Sequence, residues 1–444
     1  MEAIDSTIIN TAIPAISQSL GVNSIDLKIA LIAYFLSLAI FIPISGWLAD
    51  KFGSKQIFIF ACSIFTLSSL WCGFAPNLIT LSIARFIQGL GGALALPVGR
   101  LIILRSFGRE NLVTTMNHIV SIGALGMMLG PFVGGLITDY FSWRWIFWIN
   151  IPIGLITVLL AYFWLEDSDV QPVHSLDKTG FILFGTGLSG IIFGFSALSE
   201  TTINLHLDFR VIFIALIVLV VYIKYSKGQQ HPIVKTDLLR FRTFQITVLG
   251  NLLSRLGFGA IPFLLPLLFQ IGLGKSAALS GLLLAPTALG VLVARQFSLR
   301  LLRLLGYKRL LIINTICSGF SIAIFSSIVV QTPIIIIGLF TFLFGLFTSF
   351  QYSALYSLAY AEINHDQLSA ATSIMSTTQQ LAKSLGIAAC ALFIHSYSIS
   401  YANLSIITVY HYTFVALALV TLISSLLYIR LKQDDGQLMI GAKK

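Results

Sequence analysis

Asp5, Arg85, Arg255 and Lys383 each interrupt a long apolar stretch, and each is the kind of residue that an apolar stretch tolerates only for a purpose. Asp5 is the one acid inside such a run. The other acids fall in polar segments or at the ends of runs, and Glu2 sits at the terminus. Loss of hydration penalises the charged form of a carboxylate, so a lone acid there is suited to take up and release a proton. The competing reading is that Asp5 only caps a helix. Arg85 carries a guanidinium that stays charged in a protein, so it must be paired, hydrated, or placed at an interface where its long stem lets the charge reach water. Gln88 follows one helical turn later on the same face. Arg255 lies beside Ser254 and Gly257, and Lys383 beside Gln379, Gln380 and Ser384. Both cations are expected to face an interior polar space, where they contact an anionic or polar ligand or pair with Asp5 or a backbone carbonyl. Tyr34, Phe35, Phe269, Gln270, Tyr352 and Tyr356 are further candidates for its walls.

The elements that hold these residues follow from composition. The chain has 444 residues, 57% hydrophobic and 10% charged, with a mean hydropathy of +0.93. Soluble domains carry about 25% charged residues, so this chain could not cover its own surface in water. Its length is therefore a count of membrane crossings at roughly 20 apolar residues each. A short first run ends near Pro14. Others lie near 29–48, 56–73, 79–103, 113–138, 146–165, 179–199 and 209–226, then 244–271, 278–298, 309–330, 333–358, 369–394 and 406–429. These fourteen runs are continuous, without the alternating pattern of a membrane barrel, and give an all-α membrane protein. The first run, with Glu2, Asp5, Asn10 and Gln18, is short and polar for a span, and residues upstream of Met1 are expected to complete it.

An even number of crossings puts both termini on one side. That side receives most of the basic residues, from Lys51, Lys55 and Arg100 to Arg430, Lys443 and Lys444, whereas the other receives Lys28, Arg144, Arg210 and Lys275. The imbalance predicts cytoplasmic termini and explains the net charge of +10 without a nucleic acid partner. Cys62, Cys72, Cys317 and Cys390 lie in apolar runs without metal-binding spacing and are expected to be core residues, with no metal and no cofactor. The two halves look related. Gly46-Trp-Leu-Ala-Asp-Lys-Phe-Gly-Ser-Lys55 and Arg300-Leu-Leu-Arg-Leu-Leu-Gly-Tyr-Lys-Arg309 each connect a second and a third helix. The repeat predicts two six-helix bundles, 1–165 and 244–444, separated by a linker, 166–243, with two inserted membrane helices, an organisation typical of transporters.

Within the first loop, Gly46 is expected to let helices approach and Gly53 to permit a sharp turn. Asp50 is expected to accept from helix N–H groups or to pair with a basic neighbour such as Arg109. Gly126, Gly130, Gly134 and Gly135, with Pro131, are expected to line one helix face and allow close packing.

Five segments occur in an order that resembles the fourteen-spanner drug:proton antiporter branch of the major facilitator superfamily, within it the multidrug-resistance protein D type. They are Ile4–Pro14, Gly46–Lys55, Arg85–Ala93, Gly126–Gly135 and Trp143-Arg-Trp-Ile-Phe-Trp-Ile-Asn-Ile-Pro-Ile-Gly154, and the likeness covers nearly the whole chain. The resemblance implies a major facilitator fold and proton coupling through Asp5, with Arg85 tuning proton release. It also implies a gating latch at Gly46, Asp50, Gly53 and Lys55, and an antiporter motif at Gly126, Gly130, Pro131, Gly134 and Gly135. Arg255, Lys383, Gln88, Gln379 and Gln380 are the candidate residues of the substrate cavity. A lysine at position 383 departs from the family pattern.

The expected function is proton-coupled export of small, mostly hydrophobic compounds by alternating access, by a monomer in the bacterial inner membrane. The partners are the substrate, protons and membrane lipid. A specific metabolite or siderophore exporter on the same scaffold, or a transport-dead sensor or partner subunit, are the alternatives. The chain has no phosphate-binding GxxxxGK[ST] loop, no GxSxG and no HExxH, so an ATP-driven pump or an enzyme finds no support.

Overall fold

The computed structural model describes residues 1–106, 123, 126–127, 129–166, 173–199, 205–364, 367–401 and 403–440. Among these residues the secondary structure is helical throughout, and eleven segments are long and apolar enough to cross a membrane. One of them, Ala277–Ser327, contains two helices joined at Gly306, so it supplies two crossings. Large apolar side chains such as Phe163, Trp164, Phe193 and Ile335 stand exposed on the outside, as lipid-facing residues must.

The first half contains α1 (Glu2–Leu20), α2 (Lys28–Phe41), α3 (Ser45–Phe52), α4 (Ser54–Gly73), α5 (Leu78–Ser106), α6 (129–140), α7 (Trp145–Trp148) and α8 (Asn150–Trp164). Then come α9 (Lys178–Ala197) and α10 (Leu205–Ser226). The second half contains α11 (Arg242–Phe258), α12 (Ile261–Leu267), α13 (Ala277–Ala323), α14 (Ile334–Ala359), α15 (Leu368–Ser400), α16 (Ile406–Ile423) and α17 (Ser425–Tyr428). Several starts are capped as the sequence dictates. Asp177 accepts from the Gly180 amide at 2.8 Å, Ser276 from Leu279 at 3.2 Å and Ser405 from Thr408 at 3.3 Å. α1 is one helix of 19 residues, about 28 Å at 1.5 Å per residue, close to the thickness of a bilayer core.

The related loops of the two halves share a backbone device. Gly53 has φ 90° and Gly306 has φ 70°, and each is followed two residues later by a lysine, Lys55 and Lys308. A side chain would strain either turn, so glycine is required at both. α9 and α10 pack on one another, and α9 also lies against α2 and α15, the pair of helices that meet where the two halves face each other.

The glycines of the 126–135 segment are spent on two neighbours rather than on the single face expected. A Cβ at Gly126 would lie 3.1 Å from Ala3 Cβ, at Gly130 2.0 Å from Thr7 Oγ1, and at Gly134 2.4 Å from the Ile8 carbonyl, so these three admit α1. Gly135 instead admits the Ala277 carbonyl, and Gly281 of α13 admits the Pro131 carbonyl. The same helix thus touches both halves. Asp139, at its end, accepts from the Ala277 and Ala278 amides at 3.1 and 2.7 Å, and Gln270 Nε2 donates to the Thr11 carbonyl at 2.9 Å. These contacts tie the halves together at the end opposite the glycine loops. Gly134→Ala should lower thermal stability by about 1–3 kcal/mol, because the obstruction is backbone and cannot rotate away. Thermal unfolding of the purified protein checks this, and an unchanged midpoint would contradict the close α1 packing.

Candidate functional site

Asp5 is fully buried and does not cap its helix. Both carboxylate oxygens face inward to partners from two other helices. Arg85 Nη1 of α5 lies 2.6 Å from Oδ2, and Gln88 Nε2 and Asn150 Nδ2 each donate to Oδ1 at 2.9 Å. Arg85 Nη1 also donates to Gln88 Oε1 at 2.5 Å, and Gln88 Nε2 donates to Ser69 Oγ of α4 at 2.7 Å. α1, α5 and α8 therefore converge on one carboxylate, and α4 joins the network through Ser69 and Gln88. Helical spacing explains part of this, since Arg85 and Gln88 stand one turn apart and present their polar ends to the same point.

Arg85 does not reach an interface, contrary to one of the readings above. Its side chain is wholly buried, and its guanidinium carbon stands 4.1 Å from the centroid of the Tyr34 ring. Among the described residues, Arg85 Nε and Nη2, Asn150 Oδ1 and the hydroxyls of Tyr34 and Ser37 have no hydrogen-bond partner. An ion pair whose members retain unused hydrogen-bonding atoms is less firmly held than a closed one, which suits a group that must be released.

The second cluster lies across the seam between the halves. Arg255, 1% exposed, donates from Nε to Asn251 Oδ1 at 2.6 Å and stacks on Tyr352 at 3.6 Å. The Tyr356 hydroxyl meets the Gln379 amide. With that amide oriented so that its oxygen faces the guanidinium, the oxygen lies 3.2 and 3.3 Å from Arg255 Nη1 and Nη2. Lys383 is half-buried, with Nζ 5.1 Å from the Phe35 ring. α11 and α15 meet closely through Gly386 and Gly259, because a Cβ on Gly386 would lie 3.0 Å from the Leu256 carbonyl and 3.2 Å from that of Arg255, and one on Gly259 3.5 Å from Lys383 Cα. Neither cation has a carboxylate within ion-pair distance among the described residues. Pairing with Asp5 is ruled out for both, since Asp5 is held by Arg85.

Tyr34 and Phe35, neighbours on α2, connect the clusters. Tyr34 lies under Arg85, its ring is 5.5 Å from Phe35 in an edge-on contact, and Phe35 lies under Lys383. Phe269 is buried in the apolar core and Gln270 is engaged with Thr11, so these two do not join the site. Gln380 lies one residue from Gln379, with a buried Oε1 that meets no partner among the described residues.

Three participants escaped the sequence reading, whereas Tyr34, a candidate there, supplies the face beneath Arg85. Asn150 and Ser69 complete the Asp5 network. Glu2 is the third. It opens α1, and its Cγ lies 3.7 Å from where Gly92 would carry a Cβ, beside the Tyr34 hydroxyl. It acts electrostatically on Lys383 and Asp5, so Asp5 is not the only acid of the interior. A polar residue inside an otherwise apolar run was the available signal for Asn150.

In the loop of the first half, Gly46 has nothing within 4 Å of a Cβ position among the described residues, so it does not serve close approach to any of them. Lys51 lies 4.6 Å from the Trp47 ring and Lys55 6.0 Å from that of Tyr162, while Trp47 Nε1 donates to the His174 carbonyl at 2.8 Å. The expected partner of Asp50, Arg109, lies outside the described residues.

Buried charges on facing helices of a polytopic helical protein, with two related halves, define a membrane transporter. The family profile described as Major Facilitator Superfamily matches residues 1–387 and 247–438, and the chain belongs to that family. It is 35% identical over 439 residues to a Haemophilus influenzae protein named "Probable transport protein HsrA", covering 98% of this chain and 94% of that one. It is 30% identical over 440 residues to an Escherichia coli protein named "Putative multidrug resistance protein MdtD", covering 98% and 93%. Among solved structures, a D-xylose–proton symporter superposes with a TM-score of 0.68 at 13% identity, covering 98% of this chain and 95% of that one. A peptide transporter of the POT family superposes with 0.69 at 16%, covering 98% and 96%, which shows the shared fold. The protein is thus a multi-pass transporter of small molecules in the inner membrane, and not an enzyme.

Proposed function

We propose that the protein is a proton-coupled antiporter that exports small, mostly hydrophobic compounds, with Asp5 as the proton carrier and Arg85 as its counter-charge. The observation that carries this reading is the fully buried Asp5–Arg85 pair at 2.6 Å, joined through Tyr34 and Phe35 to a second polar cluster across the seam. Protonation of Asp5 removes the attraction that holds Arg85 Nη1. The guanidinium, whose Nε and Nη2 make no hydrogen bond among the described residues, is then released to shift over Tyr34. A movement of α2 that follows is felt at Phe35 and Lys383. Proton binding and substrate binding then bias the same rearrangement, which is what coupling requires.

The helix carrying Gly126, Gly130, Pro131, Gly134 and Gly135 serves in this scheme as the bearing between the halves, since it touches both α1 and α13. The Asp139 contact with the start of α13 keeps one end closed while the other admits substrate. Gly46–Lys55 is the latch at the opposite end. The units that rock are 1–165 and 244–444, with 166–243 alongside the seam, in a monomer whose termini are cytoplasmic as the basic residues direct. The name of the Escherichia coli relative, a multidrug resistance protein, supports drugs as cargo.

Inverted membrane vesicles provide the test. Lipophilic compounds should accumulate in vesicles that contain the protein when the lumen is acid, and accumulation should collapse on adding a protonophore. Uptake that is indifferent to the protonophore would refute proton coupling, and no uptake across the panel would refute export of this substrate class.

A further inference from the structure

We infer that the exported compound carries a carboxylate on an apolar body, and that this group is received by Lys383 and Arg255 at the seam. The inference rests on the export reading and assigns the charge of its cargo. The two clusters differ in how their charges are balanced. In the first, Asp5 and Arg85 neutralise one another directly. In the second, two cations on neighbouring helices repel each other, and each lacks an anionic contact among the described residues. Glu2 attracts Lys383 without forming an ion pair with it among the described residues, and Arg100 and the N-terminal amine draw on the same acid, so the two seam cations are left without a neutralising partner there. Unbalanced charge in a buried place is expensive, and a protein that retains it has an occupant that balances it.

The geometry around Arg255 describes that occupant. Its Nε is taken by Asn251 and one face by Tyr352, which fixes the plane of the guanidinium and points Nη1 and Nη2 together at the Gln379 amide oxygen. Two nitrogens converging on one position is the arrangement that a carboxylate satisfies. The amide oxygen sits there at 3.2 and 3.3 Å, longer than charge-assisted bonds, so it is a weak incumbent that a carboxylate would displace. The Gln380 Oε1, which has no partner among the described residues, and the half-buried ammonium of Lys383 stand on the same stretch of α15. Phe35, Phe258 and Tyr352 supply aromatic faces for the remainder of the molecule, with Phe258 and Tyr352 edge-on at 5.4 Å. A lipophilic cation would meet like charge at both positions.

Equilibrium binding to the purified full chain in lipid nanodiscs tests this with three probes that share one ring system: 2-naphthoate, the neutral 2-naphthamide and 2-naphthylmethylammonium. The carboxylate should bind about tenfold more tightly than the amide, and the ammonium most weakly. Lys383→Met and Arg255→Gln should each remove most of that preference while amide binding stays within about twofold, and Lys383→Arg should preserve it. Retained amide binding shows that a variant is folded. Equal affinities for the three probes, or a preference that survives Lys383→Met, would overturn the inference. Binding needs no gradient, so a carboxylate preference with flux indifferent to pH would reject proton coupling and leave the inference standing. Gradient-driven export that favours the ammonium would do the reverse.

Discussion

Asp5→Asn is expected to abolish proton-driven export. Asparagine keeps the size of the side chain and one oxygen for Gln88 and Asn150, but it cannot exchange a proton. It also leaves Arg85 without its counter-charge in a place of zero exposure. Breaking a buried pair from one side costs on the order of 3–5 kcal/mol. Reduced thermal stability and yield are therefore expected beside the transport defect, rather than the intact folding that a lone, unpaired carboxylate would imply. The double variant Asp5→Asn/Arg85→Gln separates the two effects. Removing both charges should restore much of the stability, since a neutral amide pair needs no counter-ion, while proton-driven export stays absent. Thermal unfolding and vesicle uptake read the two quantities on the same preparations. Stability and transport recovering together would show that Asp5 holds the fold and does not carry the proton.

Arg85→Ala should be the more damaging change to the fold, and Arg85→Lys the more informative one. Alanine strands the Asp5 carboxylate with two amide donors and empties the space over Tyr34, at a cost of about 3–5 kcal/mol if the acid stays charged. The acid has an escape, because it can take a proton and remain neutral. Arg85→Ala should then hold Asp5 protonated and stop export at the step that releases the proton. Lysine restores a cation to Asp5 but reaches with a single ammonium. Arg85 Nη1 serves Asp5 and Gln88 at once, and a lysine that keeps the first contact would surrender the stacking on Tyr34. Partial transport is expected for Arg85→Lys and none for Arg85→Ala, measured as initial rates in vesicles at matched protein levels. Equal rates in alanine and wild type would remove Arg85 from the mechanism.

How much of this was legible in the sequence depends on what each residue needs for recognition. Asp5, Arg85, Arg255 and Lys383 announce themselves, because a charge within an apolar run is expensive wherever the run folds. The pairing of Asp5 with Arg85 was not legible, since their separation of eighty positions carries no contact information. Ser69 is an ordinary residue of a membrane helix, and only the convergence of α1, α4, α5 and α8 selects it. Glu2 looked like a terminal residue because the length of the first helix cannot be judged from a polar, short run, and α1 proved continuous from it. The two related loops were legible as a repeat, and the positive φ of Gly53 and Gly306 gives that repeat a physical basis. Gly46 shows the limit in the other direction. A glycine inside a motif suggests close packing, but the space beside this one is open among the described residues. The division of labour among Gly126, Gly130, Gly134 and Gly135 required both neighbours in place, since a helical stripe does not say which helices it will meet.

The central claim is that Asp5 couples substrate movement to protons. Proteoliposomes with the purified protein, loaded with unlabelled substrate and given labelled substrate outside, allow exchange to be measured without a gradient and net transport to be measured with one. Wild type should perform both. Asp5→Asn should retain substrate exchange, because the Lys383–Arg255 cluster is untouched, and should lose net transport driven by the pH gradient. Gradient-driven transport that persists in Asp5→Asn at the wild-type rate would contradict the account.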